Sequence, residues 1–154
     1  MNKFALLLLT STLAMGSMSF AGEVGIVESQ NSADAVRYFE HELSFTTNPY
    51  RVKSEIDAKN QNIIVVDVRL EDDFKAGHIP GAVSIPFNKY SEFSGSEKEF
   101  PGLNKNKMHY IYCYTPYCNL AQKAAKKFAS LGYRVKEMKG GIQAWKEFNF
   151  PVEK

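Results

Sequence analysis

The chain holds 154 residues, 44% of them hydrophobic, with 19 Lys and Arg against 17 Asp and Glu for a formal net charge of +2. That length fits one domain with a core of its own, and so balanced a charge excludes a dedicated nucleic-acid binder, which carries a strong basic excess. Two cysteines cannot close a zinc site without two further ligands, and His41, His78 and His109 fall at no metal-binding spacing, so no metal and no other cofactor is expected.

Residues 1–21, MNKFALLLLTSTLAMGSMSFA, read as a secretory signal peptide. Lys3 supplies the basic n-region and FALLLL the apolar stretch, and Ser19 and Ala21 are spaced for a cut between Ala21 and Gly22. The apolar run is short and broken by Thr10, Ser11, Thr12, Gly16 and Ser17, so it is not expected to span a bilayer. No cysteine follows it to carry a lipid, and no later segment is apolar enough to span, so no stable membrane anchor is expected. Cleavage removes Lys3 and leaves a net charge of +1. Export implies the periplasm of a Gram-negative cell, an oxidising compartment for both cysteines.

Residues 22–60 read as a partly helical N-terminal extension. Gly22 to Asn31 is polar and small. SADAVRYFEHELSF follows, with Ser32 as the expected N-cap and Val36, Phe39 and Leu43 at helical spacing. TTNPYRVKSEIDAKN holds a break at Pro49 and then a second short helix.

Residues 61–154 read as the main domain. NIIVVDV is a nearly continuous β-branched run, the pattern of a strand buried on both faces of a parallel sheet. LEDDFKAG predicts one or two helical turns ending at Gly77, HIPGA a turn, and AVSIP a second strand. FNKYSEFSGSEKEFPGLNKNK predicts a short helix and a long loop. MHYIYC is a third strand, ending at Cys113. An amphipathic helix then places Leu120, Ala121, Ala124, Ala125, Phe128 and Leu131 on one face and Gln122, Lys123, Lys126, Lys127 and Ser130 on the other. Asn119 is its expected N-cap and Gly132 its stop. YRVKEM is a fourth strand and GGIQAWKEF a closing helix. Strands alternating with helices predict an α/β fold, a parallel sheet covered on both faces. Sites on such sheets lie at the carboxyl ends of strands, where Cys113 stands.

Both cysteines of the chain, Cys113 and Cys118, lie in the one loop CYTPYC. A disulfide closing so short a loop adds little entropic stability, which favours a sulfur or redox role over a staple. A cysteine between a strand end and a helix start lies near backbone N–H groups without helical partners, which stabilise an anion. A thiolate there is expected to have a lowered pKa and to be nucleophilic. Pro116 adds no N–H to that cradle, and Tyr114 and Tyr117 are expected to line a pocket with flat apolar surface. His109 is either a base for Cys113 or an ordinary histidine, buried in the strand or at the surface. Asp67, on a buried strand, needs a partner; Arg69 is the nearest, either as a support for the loop or as a structural ion pair. Gly140 and Gly141 permit a tight turn, and Trp145 reads as core.

The stretch from Ile63 to Phe148 resembles a single-domain rhodanese, the sulfurtransferase fold. The resemblance is carried by Asp67-Val68-Arg69, Phe74, GHIPGA at Gly77 to Ala82, Cys113 at a strand end, the helix NLAQKAAKKFASLGY, Gly140-Gly141 and Trp145. The N-terminal helical extension is similar to one found ahead of some exported rhodanese-like domains. The resemblance implies a five-stranded, mostly parallel sheet with helices on both faces, and a catalytic cysteine opening a six-residue loop. That assigns catalysis to Cys113 and the loop to Tyr114, Thr115, Pro116 and Tyr117, with Asn119 following, and places Asp67 and Arg69 beside it. It also implies a small sulfur donor such as thiosulfate or a persulfide, and a thiol acceptor, which includes proteins. Where the family's loop ends in arginine or another polar residue, this chain has Cys118, and Pro116 replaces the usual glycine. The related phosphatases need a longer loop ending in arginine; Asn119 occupies that place.

Three functions follow as alternatives. One is a sulfurtransferase or persulfide carrier. The second is a thiol–disulfide redox protein using Cys113 and Cys118. The third is a catalytically silent binding module. In the first, Cys118 is a possible resolving partner: attack on a Cys113 persulfide forms a disulfide and releases sulfide, if the Cα atoms approach within about 7 Å.

Overall fold

The computed structural model describes residues 31–87 and 100–154. The expected signal peptide, the polar stretch after it and residues 88–99 of the expected short helix and long loop lie outside the described residues. In chain order the elements are α1 (Ser32–Phe45), β1 (Thr46–Thr47), α2 (Pro49–Asp57), β2 (Ile63–Asp67), α3 (Glu71–Ala76), β3 (Val83–Ser84), β4 (Met108–Tyr112), α4 (Leu120–Ser130), β5 (Arg134–Met138) and α5 (Gly141–Glu147). The strands form one sheet in the order β1-β5-β4-β2-β3, each neighbouring pair parallel. β1 is the strand that the sequence pattern does not mark. It is two polar threonines, and it is a strand because Thr46 and Thr47 pair with Glu137 and Met138.

Alternation in the buried strands sorts the core onto two faces. Val66, Val68, Ile111 and Cys113 point to one face, which α4 covers with Ala121, Ala124 and Phe128. Val65, Tyr110 and Tyr112 point to the other, where Val52 of α2 and Ile142 and Trp145 of α5 pack. Trp145 is wholly buried, and its indole N–H donates to the Pro151 carbonyl at 2.7 Å. The sheet and its two helical layers match the α/β architecture expected.

Two caps differ from expectation. α1 is capped by Asn31, whose side chain accepts from the Ala33 N–H at 3.0 Å, and Ser32 is already the first helical residue. Its apolar residues Val36, Phe39 and Leu43 are helical but exposed, and none of α1 is buried. α2 starts as Pro49 suggests, with Pro49 in its first turn and the Asn48 side chain accepting from the Arg51 N–H. Asn119 stands at the cap position of α4 but makes no side-chain cap bond. The other end of α4 behaves as read. Gly132 takes φ +87°, Tyr133 N–H donates to the Phe128 carbonyl and Gly132 N–H to the Ala129 carbonyl, which closes the helix in a Schellman motif.

Candidate active site

The connection after β2 leads to β3 on one side, and the connection after β4 leads to β5 on the other. Such a switch point leaves a crevice outside the carboxyl ends of the two central strands. The last residues of these strands, Asp67 and Tyr112, are register partners. Cys113 follows at once and opens the loop to α4.

Cys113 is 2% exposed and belongs to the core beneath α4. Its Sγ–H donates to the carbonyl of Cys118 at 3.2 Å. Both thiols are free, and Cys118 is half-buried, packed against the same core cluster. The expected lowering of the Cys113 pKa is not found. Burial first, and then the neighbouring Cys118 side chain, push the thiol up to about 12, and the Ala121 and Tyr114 backbone groups offset these only in part. A helix N-terminus favours a thiolate, but the desolvation of a sulfur enclosed by core side chains outweighs it here.

The loop is fixed from three sides. Within it, Cys118 N–H donates to the Thr115 carbonyl at 3.1 Å, and Tyr117 N–H donates to Thr115 Oγ1 at 3.2 Å. Below it, the first turn of α5 donates upward, from Ile142 N–H to the Cys113 carbonyl at 2.9 Å and from Gln143 N–H to the Tyr114 carbonyl at 3.0 Å. Gly141 makes that contact possible. It has φ +60°, and a Cβ there would lie 2.7 Å from the Cys113 carbonyl oxygen and 2.8 Å from the Tyr114 carbonyl carbon. To the side, Tyr114 O–H donates to Asp73 at 2.6 Å and accepts from the Leu70 N–H at 3.1 Å. Tyr114 is therefore a strut to α3 rather than a free pocket wall. Tyr117 is 95% exposed and lines nothing; Pro116 and Asn119 are also exposed, and Thr115 is half-buried.

Asp67 and Arg69 are brought together as a buried pair. Arg69 Nη2 lies 2.7 Å from Asp67 Oδ2, its Nε donates to the same carboxylate, and Nη2 also donates to the Gly77 carbonyl at 2.8 Å. Tyr112 O–H donates to Asp67 Oδ2 at 2.5 Å and accepts from the Ile79 N–H at 3.1 Å. Burial alone would lower the Arg69 pKa, but the Asp67 carboxylate and, after it, Tyr112 together more than offset it and the net direction is upward. Burial first, and then Asp67, raise that of the Tyr112 hydroxyl. The guanidinium carbon lies 5.7 Å from the Tyr112 ring centre and 5.8 Å from that of Tyr114, within cation–π range. The pair is thus a structural ion pair that touches the two tyrosines flanking Cys113, so the two readings of it merge.

Of the two readings of His109, the buried strand histidine holds. His109 is fully buried at the start of β4, with Nδ1 2.8 Å from the Arg134 carbonyl and Nε2 accepting from the Asn104 N–H at 3.3 Å. Burial lowers its pKa, so both ring nitrogens of a neutral imidazole are engaged and none faces Cys113. His78 stacks on Phe74 at 3.7 Å and binds its carbonyl. Among the described residues no cluster of His, Cys, Asp and Glu could hold a metal, and no helix is long and apolar enough to cross a membrane.

A parallel five-stranded sheet with a cysteine opening the loop between its central strand and the next helix defines a rhodanese-like α/β domain. The chain belongs to the rhodanese-like domain family, whose pattern matches residues 48–148. It is 43% identical to the BH2092 protein from Bacillus halodurans, whose crystal structure superposes with a TM-score of 0.68 over 80% of this chain and 86% of that one. It is 29% identical over 103 residues to the thiosulfate sulfurtransferase GlpE of Coxiella burnetii, covering 63% of this chain and 88% of that protein. It is also 32% identical over 91 residues to the HTH-type transcriptional regulator Rv0324 of Mycobacterium tuberculosis, covering 59% of this chain. The chain spans 38% of that regulator's length, and about a quarter of the other long curated relatives it matches.

Proposed function

We propose that the protein is an exported, periplasmic sulfurtransferase that carries sulfane sulfur on Cys113. The donor is thiosulfate or a small persulfide. The Cys113 thiolate attacks the outer sulfur of thiosulfate, the S–S bond breaks, sulfite leaves, and Cys113 holds a persulfide. The thiolate of an acceptor then attacks the terminal sulfur and regenerates Cys113, so one covalent intermediate serves both halves. The observation that carries this reading is the place of Cys113, at the carboxyl end of a central parallel strand in a loop clamped by α3 and α5. The sulfurtransferase GlpE, matched over 88% of its length, supports it. Export rests on the leader-like residues 1–21.

The test is a single turnover without acceptor. Reduced Cys118→Ser protein mixed with thiosulfate should release one sulfite per chain, with one sulfur atom gained on the peptide bearing Cys113. Cys113→Ser should gain none. Fractionation of cells that express the full chain should find it in the periplasm. A Cys118→Ser chain that takes up no sulfur from thiosulfate or from polysulfide, or a protein retained in the cytoplasm, would refute the corresponding part.

A further inference from the structure

At the end of the loop that Cys113 opens, this chain places a second thiol, and the structure turns it inward. Tyr117, one residue earlier, stands in solvent, whereas Cys118 is half-buried and packs against the cluster that encloses Cys113. The Cys113 Sγ–H already donates to the carbonyl of residue 118 at 3.2 Å. The Thr115 turn, closed by the Cys118 N–H, holds the backbone there. The chain has no third cysteine, so any intramolecular partner for a sulfur on Cys113 must be Cys118.

We propose that Cys118 is the resolving residue of a sulfide-releasing half-reaction, which rests on the persulfide reading given above. The Cys118 thiolate attacks the inner sulfur of the Cys113 persulfide. A Cys113–Cys118 bond forms, the bond to the outer sulfur breaks, and that sulfur leaves as hydrosulfide, which takes up the proton lost from Cys118. The outer sulfur is reduced to sulfide, and the two cysteines become a disulfide. With thiosulfate as donor the sum is two thiols and thiosulfate giving a disulfide, sulfite and hydrogen sulfide. No outside oxidant enters, because the sulfane sulfur is the electron acceptor. An external dithiol returns the disulfide to two thiols by exchange. The product is then free sulfide and an oxidised loop, and the donor's sulfur need not pass to an acceptor thiol at all.

The experiment compares the reduced wild-type chain with Cys118→Ser and Cys118→Ala after mixing with thiosulfate in the absence of any thiol. Wild type should release one sulfide per chain, lose two hydrogens in mass and yield a peptide cross-linked through Cys113 and Cys118. The two variants should instead keep the added sulfur, and release sulfide at least about tenfold more slowly, until an external thiol is supplied. Two Cys118 variants of different polarity guard against a folding defect in either. If wild type keeps a stable persulfide, or the variants release sulfide as fast as wild type, the resolving role fails and the transferase reading stands. If no chain takes up sulfur from thiosulfate or polysulfide, both fall together.

Discussion

Gly141 is a position at which one methyl group should cost a great deal. At φ +60° a residue with a Cβ pays about 1–2 kcal/mol for the left-handed backbone. The methyl of Gly141→Ala would stand 2.7 Å from the Cys113 oxygen, 2.8 Å from the Tyr114 carbonyl carbon and 2.9 Å from the Thr115 nitrogen. All three are backbone atoms and cannot swing aside, so overpacking adds about 1–3 kcal/mol. Moving the loop away also weakens the bonds from Ile142 and Gln143 N–H, each worth about 0.5–1.5 kcal/mol. The expected loss is about 3–5 kcal/mol, a large part of the stability of an ordinary domain. Gly81→Ala is the control. Gly81 has a similar φ of +72°, but a Cβ there meets nothing within 4 Å, so only the backbone cost of about 1–2 kcal/mol applies. Denaturant unfolding of both variants measures the difference. Equal losses would refute the claim that α5 is pressed against the loop through Gly141.

The remaining predictions concern the buried charges. Because the Cys113 pKa is raised, alkylation of Cys113 by iodoacetamide in Cys118→Ser should climb about tenfold per pH unit above pH 7, with no plateau below pH 10. A plateau by pH 9 would show an ordinary thiol. The same shift stabilises the fold below the free-thiol pKa and loses that contribution as pH rises toward 12, so unfolding free energy should fall more between pH 8 and 10.5 in wild type than in Cys113→Ala. Asp67→Asn leaves the Arg69 guanidinium buried without its counter-charge and should cost about 3–5 kcal/mol. Tyr112→Phe, which orphans the Ile79 N–H, should cost about 1–3 kcal/mol. Denaturant curves check both, and two variants within about 0.5 kcal/mol of wild type would remove the network from the stability of the fold.

The parts of the fold written in local patterns were legible. The run from Ile63, the turn at Gly77 to Ala82, the two faces of α4 and its Gly132 stop appear as read, because each depends on residues a few positions apart. The features that escaped depend on distant partners. β1 is a strand only because β5 lies beside it. The sequence shows Gly141 as a turn residue, but its role under Cys113 comes from a close approach between residues far apart in the chain. Tyr114 has the same local chemistry as Tyr117, and only the position of Asp73 makes one a strut and the other a solvent side chain. The raised Cys113 pKa has the same kind of origin. A helix start is visible in a sequence, whereas the depth at which a sulfur is enclosed is a property of the packed whole.

The rims of the sheet are β1 and β3, each two residues long. The longer strands β2, β4 and β5 all have a neighbour on both sides. An unpaired rim is where a foreign strand can add on, and the hazard grows with the length of free backbone it offers. Among the described residues that length is two residues at either margin. The surface that would template aggregation between molecules is therefore kept to a minimum, although the interior strands are rich in the β-branched residues that aggregates favour.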